Sequence, residues 1–129
     1  TSVSPLGYEE STLGEDAKAV GAQLGLAIVP DPLPDRNTFT RSDQYSFIRA
    51  GIPALFPKYG FARGTPEAAS EAAWRANIYH SPQDGPDQPV MKAEAVKLNS
   101  FGTALVRRIA DAPQRPRWHE DSYFRRFVK

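Results

Sequence analysis

The chain has 129 residues and a mass of 14.3 kDa, the size of one ordinary domain with one core. With 40% hydrophobic and 24% charged residues its composition is globular, which excludes a disordered chain, and no apolar run approaches the length of a membrane-spanning helix. Sixteen basic against fifteen acidic residues leave +1, excluding a global field for nucleic acid or an anionic membrane, and the lack of cysteine excludes disulfides, thiolate metal sites and cysteine nucleophiles.

The chain starts at Thr1 with neither an initiator Met nor a signal segment, the start expected of a fragment or processed product. Thr12-Leu13-Gly14-Glu15 fits a capping box, so a helix is predicted to begin there with Ala17, Val20, Gly21 and Leu24 at helical spacing and Gly25 as a left-handed cap. Leu26 to Val29 is a short apolar strand candidate, after which Pro30, Pro32 and Pro34 impose an extended loop. Ser42 is placed to cap a second helix running to about Ala50, ended by Gly51 and Pro53.

Ala54-Leu55-Phe56 reads as a brief buried strand that delivers Lys58 and Tyr59 to its end. Thr65-Pro66 opens an alanine-rich helix predicted to reach Trp74. Tyr79 to Pro89, with three prolines and a glycine, is a loop. Met91, Ala95, Leu98, Gly102, Leu105 and Ile109 then form the apolar stripe of a long helix whose Arg107 and Arg108 complement its C-terminal dipole. Residues 1–112 form the domain, and residues 113–129 a basic, aromatic arm expected to pack back through Trp118, Tyr123, Phe124 and Phe127. Helices alternating with short strands indicate an α/β class with too few strands for a self-sufficient sheet.

There is no phosphate-binding glycine loop, no G-x-S-x-G elbow and no H-E-x-x-H pair. His80 lies in Tyr79-His80-Ser81-Pro82-Gln83-Asp84, a loop stiffened by Pro82 that can hold a ring nitrogen toward a metal; a lone loop histidine serves equally as a surface hydrogen-bonding group. His119, among charged residues, reads as solvated, as does the Glu9-Glu10 pair. Asp43 suits the first turn of its helix, and Tyr59 and Tyr79 are cleft donors or packed rings.

Arg41-Ser42-Asp43-Gln44-Tyr45-Ser46-Phe47 followed by Gly51-Ile52-Pro53-Ala54-Leu55, and then Tyr79-His80-Ser81-Pro82-Gln83-Asp84, resembles the last two signature blocks of the M28 metallopeptidases in order and spacing. The first is similar to that family's S-D-H or S-D-Q helix leading to a G-I-P-A strand, and the second to its Y-H-[ST]-P-x-D metal loop. The resemblance runs from about Leu13 to Ile109.

The resemblance implies the C-terminal half of a phosphorylase/hydrolase-like α/β/α zinc exopeptidase fold, in a parent aminopeptidase that cleaves N-terminal peptide bonds with two zinc ions and metal-activated water. It places the family's last histidine ligand at His80. The other ligands and the general-base glutamate belong to blocks that precede this region, so the chain alone is expected to be inactive and to retain no zinc. Asp43, Tyr59, Tyr79 and Asp84 are the accompanying substrate-binding or supporting residues, with Asp84 and Asp87 orienting the loop or His80. Phe39 stands where some relatives have a tyrosine that stabilises the oxyanion, leaving Tyr59 as a substitute donor.

Two rivals share the half-fold: a glutaminyl cyclase-like zinc acyltransferase and a non-catalytic interaction module. The expected partners are a peptide substrate in the parent and a missing N-terminal half or a second copy of the chain, covering an exposed sheet edge. The resemblance favours a secreted or periplasmic setting.

Overall fold

A computed structural model describes all 129 residues. Its elements are β1 (Ser2–Leu6), α1 (Leu13–Leu24), β2 (Ala27–Ile28), α2 (Gln44–Arg49), β3 (Phe56–Tyr59), α3 (Pro66–Asn77) and α4 (Lys92–Ala110), with 3-10 turns at Pro34–Arg36, Thr38–Thr40 and Tyr123–Phe127. The strands form one mixed sheet in the order β2-β1-β3. β1, α1 and the parallel β2 make a βαβ unit, and β3 adds antiparallel to the other side of β1. The α/β class is thus present as a small three-stranded sheet with flanking helices. No helix is long and apolar enough to cross a membrane.

The central strand, β1, carries no alternating apolar signal, and its Pro5 argues against a ladder position. The register resolves this. Pro5 lies opposite Pro57, and β2 pairs only with Ser2 and Val3. Gly60 N–H donates to the Ser2 carbonyl at 2.9 Å; counting alternate pairs from there puts the two prolines at a pair that exchanges no hydrogen bond, where a missing N–H costs nothing.

Two cores hold the molecule. Val3, Ala17, Val20, Leu26, Phe101 and Leu105 close the first, between the sheet, α1 and α4. Phe101 is fully buried although it falls outside the expected stripe, and Met91 precedes α4 and is 72% exposed. The stripe is therefore rotated toward Phe101, the face that α1 covers, and Arg108 Nε on α4 donates to Asp16 Oδ1 on α1 at 2.8 Å. The second core gathers Ile48, Trp118 and Phe124, with Phe39, Tyr45, Ala54 and Phe127 packed against it.

The helix ends correct several expectations. α1 starts where predicted and Gly25 caps it at φ 65°, but the Thr12 side chain does not cap. Its Oγ1 instead accepts the Arg117 N–H at 3.0 Å, because the C-terminal arm competes for it. α2 starts after Asp43 rather than Ser42, and Ser42 Oγ donates back to the Thr38 carbonyl of the preceding 3-10 turn at 3.3 Å. α3 is capped by Thr65, whose Oγ1 accepts the Ala68 N–H at 3.3 Å, and runs on to Asn77 rather than stopping at Trp74. β3 begins at Phe56 rather than Ala54: Ala54 and Leu55 are drawn into the second and first cores, and pairing with β1 starts only at Leu6 opposite Phe56.

Residues 113–129 return to the body of the domain. Ser11 and Trp118 form a β-bridge, the Thr12 N–H donates to the Arg117 carbonyl at 2.9 Å, and the His119 N–H donates to the Glu10 carbonyl at 3.0 Å. Trp118 Nε1 donates to the carbonyl of Gly51 at 3.0 Å. Gly51 adopts φ 82°, a left-handed conformation that turns the chain after α2. Neither His119 nor Glu10 is merely solvated: His119 Nδ1 lies 3.0 Å from the Glu9 carbonyl, and Glu10 Oε2 accepts from Ser122 Oγ at 2.6 Å.

Candidate functional site

The residues with the most specific chemistry lie where α3 ends. The helix closes with the N–H groups of Ile78 and Tyr79 both donating to the Trp74 carbonyl, at 2.8 and 3.0 Å. His80 then adopts φ 58°, a left-handed conformation uncommon outside glycine, and one of two such non-glycine residues in the chain. The Ser81 N–H donates to the Ile78 carbonyl and the Asp84 N–H to the Ser81 carbonyl, both at 3.0 Å, so the loop is a series of tight turns.

His80 is solvent-exposed. Its imidazole stacks on the Tyr79 ring, with centroids 3.7 Å apart and planes 22° from parallel. Tyr79 in turn packs on Trp74 at 4.8 Å, and the Arg75 guanidinium lies 4.9 Å from the Tyr79 centroid. Asp84 serves the loop through the main chain, its Oδ2 accepting the backbone N–H of His80 at 3.4 Å. Tyr79, His80 and Asp84 are thus brought together. Asp87 makes no hydrogen bond or ion pair with His80.

Asp43 and Tyr59 stand apart from this group. Asp43 occupies the N-cap position of α2, exposed and without a capping bond. Tyr59 ends β3 opposite Val3, and directly opposed residues of antiparallel strands share a face, so Tyr59 points to the side of the sheet that α1 and α4 cover. Lys58 takes the other face. Burial, and secondarily the positive charge of Arg75, lowers its pKa below the usual lysine value, while Glu71 and Asp31 oppose the shift.

Phe39 is half-buried against the second core. Its ring meets Phe124 edge-on at 5.4 Å, and Gln44 Nε2 donates to its carbonyl at 2.6 Å. A groove of about 540 Å³ between α1 and α4 is lined by residues such as Gln23, Asn99 and Arg107 and contains none of the site residues. It is open to solvent and holds no histidine or carboxylate, so it is not a substitute site.

Peptidase family M28 is the family model that matches the chain, over residues 4–106. The chain belongs to peptidase family M28. No curated protein and no solved structure matches it. The M28 match takes in both signature blocks and most of α4, and stops before the C-terminal arm.

M28 membership raises the question of zinc, and the donor set decides how far this chain can answer it. A zinc site needs three or four converging donors. No group of three or more His, Cys, Asp or Glu side chains in the chain could hold a metal ion. The residues present do not fit a zinc pair: they offer one exposed imidazole on a fixed loop.

Two residues of the site carried no sequence signal. In the sequence Trp74 is only the end of an alanine-rich helix, and Gln88 is part of the loop from Tyr79 to Pro89. They are joined by the Trp74 Nε1–H, which donates to Gln88 Oε1 at 2.6 Å. No local pattern in the sequence joins a tryptophan to a glutamine fourteen residues later; the fold of the loop after α3 brings them together.

Proposed function

We propose that this chain supplies one donor, His80, to an M28 aminopeptidase site whose remaining ligands and general base come from a segment outside these 129 residues. The supporting observation is His80 itself: an exposed imidazole, held in a left-handed turn and stacked on Tyr79, inside the region that matches M28. Peptide N-termini are the substrate class, and cleavage belongs to the assembled enzyme. A segment outside these residues, or a second copy of the chain, covers the sheet edge.

The test is the zinc content of the purified chain after dialysis against trace zinc, measured by elemental mass spectrometry, with a His80→Ala variant and an aminopeptidase assay in parallel. Negligible zinc and no hydrolysis in both are expected, because one neutral imidazole does not hold Zn²⁺ at useful affinity. Two zinc ions per chain with hydrolysis, both lost in His80→Ala, would overturn the partial-site reading and assign a complete one.

A non-catalytic interaction module is the second reading, favoured by the exposed Val96 and Val106 on α4, at 62% and 67%. It requires that a longer form of the protein containing the preceding M28 blocks also binds no metal.

A further inference from the structure

His80 is reached from Trp74 by two routes. The first is a run of ring contacts, Trp74 tilted against Tyr79 at 4.8 Å and Tyr79 stacked on His80 at 3.7 Å, which sets the plane of the imidazole. The second is a hydrogen-bonded chain. Trp74 Nε1–H donates to Gln88 Oε1, Gln88 Nε2 donates to Asp84 Oδ1, and the other oxygen of Asp84 accepts the backbone N–H of His80. Gln88 Nε2 also reaches the Gly85 carbonyl at 3.4 Å.

The two routes hold different things. Stacking leaves the imidazole free to slide and the backbone free to leave the left-handed region, which is strained for a non-glycine residue. The hydrogen bond from the His80 N–H to Asp84 opposes that escape only while Asp84 is itself held. Asp84 is exposed, and the side-chain donor fixing it is Gln88, whose amide is oriented in turn because its oxygen is occupied by the indole. An amide is the one side chain of this length that both accepts from Trp74 and donates to Asp84.

We infer that Gln88 is a positioning residue for His80: by linking the Trp74 indole to Asp84 it fixes the left-handed turn that presents the imidazole. The inference deepens the reading of His80 as a metal donor and rests on it for its purpose, but the geometry it asserts belongs to the chain without metal.

Nuclear magnetic resonance of the 129-residue chain without metal tests it. The readouts are the ring-current displacement of the His80 ring protons by Tyr79, and the water exchange of the Trp74 indole N–H and the His80 backbone N–H. In Gln88→Leu both N–H groups are expected to exchange faster, by about tenfold, the scale of one net hydrogen bond, and the His80 ring displacement is expected to shrink. In Gln88→Glu the indole keeps its acceptor while Asp84 loses its donor, so the Trp74 N–H stays protected and the His80 N–H does not. Core methyl signals of Val20 and Leu105 report that both variants remain folded.

Unchanged His80 ring shifts and exchange in a folded Gln88→Leu would overturn the inference. The zinc measurement above fails independently: a His80 that never binds metal in any longer form defeats the ligand reading and leaves the positioning result intact.

Discussion

Lys58 illustrates how a single residue carries the consequences of the fold. It is held half-buried on β3 near Arg75, and both burial and that neighbour disfavour its charged form, so its pKa falls below the ordinary lysine value. The sign of the effect on stability follows. Between the lowered folded value and the ordinary unfolded one, the unfolded chain binds more protons than the folded chain, so stability rises with pH through that window, and the penalty is fully present below it. Lys58→Met is expected to remove this slope and to be more stable than the parent chain near neutrality. Urea unfolding of both forms from neutral to alkaline pH measures it, and parallel pH profiles would contradict the assignment. The residue scale also separates the site's members: His80 and Asp84 act on the same turn, whereas Asp43 and Tyr59 answer to a helix terminus and to the opposite sheet face.

Among the elements, the C-terminal arm has the largest mechanical role. Trp118 is 7% exposed, donates to the Gly51 carbonyl and completes a core with Ile48 of α2 and Phe124. The arm therefore fastens α2, which carries the first M28 signature block, although it lies outside the M28 match. Trp118→Ala is expected to cost about 3–5 kcal/mol of stability, the usual result of emptying an aromatic core position, and it also leaves the Gly51 carbonyl without its donor. Denaturant unfolding followed by far-ultraviolet circular dichroism reads this directly. A loss below about 1 kcal/mol, ordinary for a surface change, would mean that the arm is not docked in solution. The helices themselves were largely readable, because α1, α3 and α4 rest on local period and caps such as Thr65 and Gly25. β1 was not: Pro5 conceals it, and only the pairing with β3, where it lies opposite Pro57, shows why it is tolerated.

For the whole molecule, the proportion of core to surface is the governing fact. Only 16 of 129 residues are buried, few for a chain of this length, and the sheet has three strands with β2 and β3 at its edges. Edge strands and exposed apolar side chains such as Val96 and Val106 favour association. Sedimentation velocity across a concentration series is expected to show a rising sedimentation coefficient. A strictly monomeric, folded chain at the highest concentration would remove the case for a covering copy and leave a separate segment as the only cover proposed.

Hydrophobic period, proline and glycine placement and two short motifs were enough, in the sequence itself, to establish the α/β class, the long α4, the loop at His80 and the resemblance to M28. All of these are local: each depends on residues within a few turns or strand lengths of one another. Tertiary structure decided the rest. It selected Arg117 over the α1 terminus as the partner of Thr12, turned α4 toward Phe101, drew Ala54 out of the strand, enclosed Phe39 against Phe124 and joined Trp74 to Asp84 through Gln88. These choices rest on contacts between segments that a local reading does not compare, where burying apolar area and pairing polar groups outweigh local preference.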